Sequence, residues 1–222
     1  MSPHKTIVSW SSGKDSAWAL HEARQMPDLE IVGLLTTLTE DFHRVSMHGV
    51  REELLDAQSR SLGLPLTKLK IPFPCPNGVY EDTMREAMDK ALNQGITRIV
   101  FGDLFLRDIR EYRELKLSGT GFQGVWPLWE INTQELAQRM IEGGLRSSIA
   151  CLDPRKLPST FAGRAYNADL LRDLPPGVDP CAENGEFHTF AWDGPMFSKP
   201  LRFQVGETVE RDGFVFTDFI PA

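Results

Sequence analysis

The chain has 222 residues, 41% of them hydrophobic and 25% charged, with a formal net charge of −7. That is enough apolar chain for a full core in one large domain, or one domain plus a small appendage. The acidic balance makes nucleic acid an unlikely partner, because phosphate contacts need a basic face. No apolar run reaches the roughly eighteen residues that span a bilayer, so no membrane contact is expected. The opening Met-Ser-Pro-His-Lys leads straight into a strand pattern without an apolar signal stretch. Cys75, Cys151 and Cys181 are odd in number, far apart and include no C-x-x-C pair, so neither a disulfide framework nor a zinc site has support. A reducing cytoplasm is the expected setting, and a homo-oligomer is compatible with the composition.

In chain order, Thr6 to Trp10 reads as a first strand, and Ser16 to Gln25 as the helix after it. Glu30 to Leu38 is a second strand, apolar at Ile31, Val32, Leu34 and Leu35. Val50 to Leu62 has a helical apolar face and a stop at Gly63. Leu66 to Ile71 is a third strand. Met84, Ala87, Met88, Ala91 and Leu92 mark a helix over Glu81 to Asn93, followed by a short buried strand over Arg98 to Phe101. This alternation predicts an α/β fold with a parallel, doubly wound, Rossmann-like sheet and helices on both faces. Arg107, Arg110 and Arg113 interleave with Glu111 and Glu114, as on a solvated, salt-bridged helix.

The second half changes character. Thr133 to Gly143 and Arg164 to Leu174 read as helices around a strand over Ser147 to Leu152. Phe187 to Trp192 alternates apolar and polar residues. Asp212-Gly213 joins Glu207–Arg211 to Phe214–Asp218 as a hairpin. The expected division is a nucleotide-binding domain over 1–130 and a smaller α+β substrate-binding subdomain over 131–222.

The most informative segment is the loop Ser11-Ser12-Gly13-Lys14-Asp15-Ser16 between the first strand and helix. Strand, small-residue loop and helix start together bind phosphate. Backbone N–H groups there lack intrahelical partners, and the helix dipole adds partial positive charge. Lys14 adds a full charge. Asp15 suits a Mg²⁺ ion bridging to the phosphates. The spacing is not that of a Walker A loop. In parallel sheets ligands sit beyond the C-terminal strand ends, which also brings Gly102 and Asp103 into consideration. A second dense cluster runs from Asp179 to Thr189 and packs carboxylates, an amide, a thiol, an imidazole and a hydroxyl around a Gly turn. It reads either as a ligand loop or as a solvated turn at Asn184-Gly185. The acids flanking Cys181 argue for packing rather than reactivity of that thiol.

The first loop resembles the PP-loop, Ser-Gly-Gly-x-Asp-Ser, of the N-type ATP pyrophosphatases, within the adenine nucleotide alpha hydrolase-like folds. Ser12 stands where that pattern has its second Gly. The expectation is that Ser12 keeps negative φ and loses nothing. Together with Gly102 to Asp108, Tyr112-Arg113-Glu114, Pro127-Leu128-Trp129 and Asp179 to Thr189, the loop is similar in content and order to the diphthine–ammonia ligase family. The Ser46 to Arg51 stretch and Phe187-His188-Thr189 look closer to the family's short bacterial members.

The resemblance implies ATP and Mg²⁺ as cofactors, with Asp15 as metal ligand, and an amide-forming ligase that adenylates a carboxylate and transfers ammonia. The acyl substrate would be a small molecule or a protein carboxylate. Ser11, Ser12, Gly13, Lys14, Asp15 and Ser16 would hold the phosphates, Leu35, Thr36 and Thr37 the adenine, and Gly102 and Asp103 the same crevice. Lys14, Asp15, Glu183, Glu186 and His188 are the catalytic candidates, the last three on the acyl-substrate or ammonia side rather than the ATP side. His48, Arg51, Arg107, Tyr112 and Asn184 are candidate acyl-substrate contacts. Two other readings stay open, a PP-loop tRNA-modifying enzyme and a nucleotide-binding regulatory module without catalysis.

Overall fold

The structure, a computed structural model, describes residues 2–222. The first half runs β1 (His4–Ser9), α1 (Lys14–Ala23), β2 (Leu29–Thr39), β3 (Arg44–Val45), α2 (Glu52–Leu62), β4 (Leu66–Ile71), α3 (Asn77–Asn93), β5 (Ile96–Val100), α4 (Arg107–Leu117) and β6 (Gln123–Val125). β4 pairs β2, β2 pairs β1, β1 pairs β5 and β5 pairs β6, all parallel. β3 adds antiparallel at the far end of β2. The strand–helix alternation thus gives the expected parallel sheet.

Strand periodicity sorts the core onto two faces, because consecutive side chains point opposite ways. Val8, Leu34 and Leu38 pack with Ala17, Leu20 and Ala23 of α1 and with Leu54, Leu55 and Leu62 of α2. Ile7, Leu35 and Ile99 pack on the other side with Met88 of α3, and with Met84, Ala87, Ala91 and Leu92 half-buried around it. The reading of a helix from Val50 is corrected at its start. Val45 N–H donates to Val50 O, and Arg44 and Arg51 form an antiparallel bridge. The turn after β3 therefore keeps both residues extended, and α2 begins at Glu52.

The second half contains α5 (Thr133–Glu142), β7 (Arg146–Leu152), α6 (Ala168–Asp173), β8 (Phe187–Asp193), β9 (Phe203–Arg211) and β10 (Phe214–Pro221). Its four strands form a separate sheet in the order β8-β7-β10-β9, antiparallel throughout. Asn132 caps α5 by accepting from Gln134 N–H and Glu135 N–H, each at 3.1 Å. The helix expected from Arg164 is shorter. Ile149 N–H donates to Arg164 O, Ala165 bridges Ser148, and Asn167 caps α6 through Leu170 N–H. Residues 164–167 are thus held along β7. Side chains from both halves share one hydrophobic cluster, from Val8 and Trp18 to Phe187, Phe190 and Phe219. β8 lies directly against the start of α1.

Candidate functional site

The loop between β1 and α1 sits at the C-terminal edge of the parallel sheet. Gly13 is its N-cap and supplies no capping side chain, so the first N–H groups of α1 face outward along the helix dipole. A side chain there would be crowded. A Cβ on Gly13 would lie 3.1 Å from Thr189 O and 3.2 Å from His48 Cε1. Gly102, just after β5, is more tightly constrained, since its Cβ would lie 2.9 Å from the Asp15 carbonyl carbon, a backbone atom that cannot swing aside. Gly102 and the loop therefore share one end of the sheet.

Ser12 corrects the expectation of negative φ, for it adopts +70°. The strained turn is held by its neighbours. Ser12 O accepts from Ala191 N–H at 2.9 Å and from Gln58 Nε2 at 3.0 Å. Gln58 is fully buried, donates also to Ala191 O at 2.6 Å, and accepts from Trp10 Nε1 at 2.9 Å. One amide thus ties β1, the loop and β8 together. The Ser12 hydroxyl is buried without a partner among the described residues. Ser11 Oγ donates to Ser16 Oγ at 3.2 Å, and Ser16 Oγ donates to Gly13 O at 3.0 Å, which stiffens the turn further.

Lys14 departs from its expected role. Its side chain is 2% exposed, and the ammonium donates to both Asp15 oxygens, at 2.9 and 2.8 Å, and to Cys181 O. It lies 5.6 Å from the Tyr166 ring centroid and 5.7 Å from that of Phe187. Burial disfavours the charge, but Asp15 and its neighbours outweigh it and hold the Lys14 pKa up. The ammonium's three donors are spent at the junction of the two halves rather than at the loop mouth. The backbone N–H of Lys14 is also engaged, donating to Thr189 Oγ1 at 3.0 Å.

The Asp179–Thr189 loop approaches from the other side and is tightly self-bonded. Asp179 Oδ2 accepts from Glu183 N–H at 2.8 Å. Glu186 Oε1 accepts from Asp179 N–H and from Asn184 Nδ2. Glu186 is buried and closes the loop on itself, and its Oε2 has no partner among the described residues. Glu183 instead reaches across to accept from Leu104 N–H at 2.7 Å, two residues beyond Gly102. Burial drives the Glu183 carboxyl up to about 7, with the Asp15 charge adding to the shift. Cys181 donates to Thr133 O, and burial pushes its thiol up to about 12, so it packs as an inert group. His188 and His48 lie ring to ring with centroids 4.5 Å apart. Burial lowers the His188 pKa to about 4 and that of His48 well below its ordinary value, so both rings are neutral near pH 7.

Two family models match the chain. The diphthamide synthase N-terminal domain covers residues 4–116 and the diphthamide synthase C-terminal domain residues 132–217. The chain belongs to the diphthamide synthase family. A comparison with curated proteins found no match. The family implies an ATP-pyrophosphatase-type ligase.

The remaining candidates divide. In this diphthamide synthase family member Thr36 and Thr37 occupy the end of β2, and the buried Thr36 hydroxyl has no partner among the described residues. Leu35 faces the core, while its carbonyl accepts from Trp10 N–H. Asp103 shares the strand end, but its carboxylate is taken by Arg113 and by Trp126 Nε1. Arg51 is held by Asp218 at 2.6 Å, together with Arg44. Arg107 pairs with Glu130 on the surface, and Tyr112 is exposed on α4. Asn184 is exposed, with its carbonyl accepting from Lys156 Nζ. Among the described residues no helix is long and apolar enough to cross a membrane.

Gln58, Thr189 and Tyr166 are the organising residues that the candidates omit. Gln58 was findable, as the polar interruption of the buried stripe Leu54, Leu55, Gln58, Ser61 and Leu62 on α2. Thr189 was visible as the hydroxyl of the second cluster, but its contact with Lys14 N–H, like that of Tyr166 with Pro180 O, joins residues far apart in sequence.

Proposed function

We propose that the chain is an ATP-dependent carbon–nitrogen ligase. A carboxylate oxygen attacks the α-phosphorus of ATP, the bond to the β-bridging oxygen breaks, and pyrophosphate leaves with its electron pair. Ammonia then attacks the acyl carbon of the adenylate, AMP leaves, and the proton lost by nitrogen passes to a base. The observation that carries this reading is the convergence of the phosphate loop with Glu183. A carboxyl raised to about 7 stands beside the strand end that carries Gly102, joined to it through Leu104 N–H. A group titrating near the working pH is suited to accept a proton from an ammonium-derived nucleophile.

The residues fit a nucleotide. Beyond Lys14, whose N–H is taken by Thr189, the start of α1 would offer fixed N–H donors, which stabilise charge developing on a leaving pyrophosphate without reorganisation. The partnerless Thr36 hydroxyl at the end of β2 suits a polar edge of the base. Among the described residues no three ligating side chains converge, so Mg²⁺ would be held by the nucleotide's own phosphates with Asp15 as the protein's carboxylate. When bound there it would supply charge neutralisation for the leaving group. Lys14 acts at one remove in this scheme, orienting Asp15 and fastening the loop to Cys181.

The test is pyrophosphate–ATP exchange alongside amide formation with ammonium. Glu183→Gln is expected to retain carboxylate-dependent exchange and to lose most amide formation. Loss of both in a folded variant would remove Glu183 from the ammonia step, and exchange in the wild type without any carboxylate would overturn the acyl-adenylate.

A further inference from the structure

A cleft of about 280 Å³ opens between the end of β2 with its following turn and the β9–β10 hairpin. Its mouth is formed by Phe42, Met47, Phe73 and Val209, all of them exposed. Such a cluster of large apolar side chains at one opening marks a binding surface rather than scattered exposure. Phe216 forms part of the wall.

The lining carries no net formal charge, because Arg44 and Arg211 stand against Asp212 and Asp218. Asp218 is already paired with Arg44 and Arg51, and the Arg211 guanidinium lies 5.8 Å from the Phe42 ring centroid. Arg211 and Asp212, both exposed, bring one charge of each sign to the hairpin side of the cleft. At the inner end stands His188, its ring tilted 37° against that of His48, whose Cε1 closes over Gly13 of the phosphate loop. The cleft therefore leads from an apolar mouth to an uncharged polar end at the ATP loop.

We propose that this cleft seats the apolar body of a small monocarboxylic acid, with its carboxyl end at His188 facing the phosphate loop. The inference rests on the ligase reading and names the acyl substrate's class. The volume sits at the lower edge of small-molecule sites and holds about nine groups of water or methylene size. A macromolecular partner would need roughly 800 Å² of its own surface. A short dicarboxylate or amino acid lacks the apolar body that Phe42, Met47, Phe73 and Val209 would cover.

The test is calorimetric titration of the full chain with straight-chain carboxylates from butyrate to dodecanoate, with and without α,β-methylene-ATP. Succinate and glutamate serve as polar controls. Affinity is expected to rise about fourfold per methylene until the cleft is full, then level off. Val209→Trp, which fills the mouth from an exposed position, should weaken binding at least tenfold, on the order of two lost methylene contacts. Phe216→Ala should move the preferred chain to longer acids, a shift that simple destabilisation does not produce. Equal binding of the polar controls, no dependence on chain length, or unchanged binding by Val209→Trp would overturn the proposal. AMP formation from MgATP and ammonium separates the two readings. Chain-length-dependent binding without AMP would overturn the ligase reading and leave the ligand class standing. AMP formed only with polar acids would overturn the cleft assignment and leave the ligase standing.

Discussion

Gln58 offers the sharpest test of how the phosphate loop is held. Gln58→Leu keeps the side chain's approximate size and removes three hydrogen bonds, one from Trp10 Nε1, one to Ser12 O and one to Ala191 O. The Trp10 N–H has no other partner in the buried site, and an orphaned donor costs about 1–3 kcal/mol. Ser12 O keeps the Ala191 N–H, so loss at each carbonyl costs a more modest 0.5–1.5 kcal/mol or about that. The total is about 2–6 kcal/mol, and for a chain of this length about 4 kcal/mol lowers Tm by about 8–16 °C. Gln58→Glu should be worse than Leu at neutral pH, because a buried carboxylate would face two carbonyls. Part of that loss should return in acid as the carboxyl becomes a donor. Differential scanning calorimetry at two pH values reads the stability, and titration calorimetry reads ATP affinity, which should fall as the Ser12 turn loosens. A Gln58→Leu variant that melts within about 2 °C of wild type and binds ATP unchanged would refute the clamp.

Ser12→Gly relieves a positive φ and removes an unpartnered hydroxyl, and after the entropy cost of Gly should stabilise by about 1 kcal/mol in urea titrations. Lys14→Met leaves Asp15 and Cys181 O without their cation and should cost about 3 kcal/mol or more, seen as a lower urea midpoint. Amide formation should rise with pH and level off above about 7, since only ionised Glu183 accepts a proton, and Glu183→Gln should flatten that profile. Asp218 has its pKa held down by the hydrogen bond from Arg51 and by Arg44, so its stabilisation is present above the unfolded carboxyl's pKa and lost as pH falls through the lower folded value. Asp218→Asn should therefore lower Tm at pH 7 and much less at pH 3.

The parallel sheet was legible because its information is local. Ile7 and Val8, or Leu34 and Leu35, carry adjacent apolar side chains that serve opposite faces, and the intervening helices carry period-3.6 stripes. The Asp212-Gly213 turn set the last hairpin, with Asp212 at a φ of 51°. Element starts were less legible where tertiary hydrogen bonds override propensity. Val50 and Arg51 suit a helix by pattern, yet the backbone of β3 keeps them extended.

At the site, residue types were readable and their partners were not. Lys14 in a phosphate loop suggests a cation for phosphate, and sequence cannot reveal that Cys181 O and Asp15 take up its donors. Ser12 could be placed in the loop, but its φ depends on Gln58 and on Ala191, which lies on β8 in the other sheet. Glu183 and Glu186 look alike in a sequence. One reaches Leu104 beside the phosphate loop and is pushed up to about 7, while the other turns inward to close its own loop. The pattern behind these differences is that β8 and the loop before it supply contacts to a turn that belongs to β1 and α1. Thr189 Oγ1, Ala191 N–H and Cys181 O all come from the second half, and each fixes an atom of Ser12 or Lys14. The phosphate loop is therefore not complete in the first half alone. A substitution that shifts β8 is expected to disturb the Ser12 turn and Lys14 through these same three contacts.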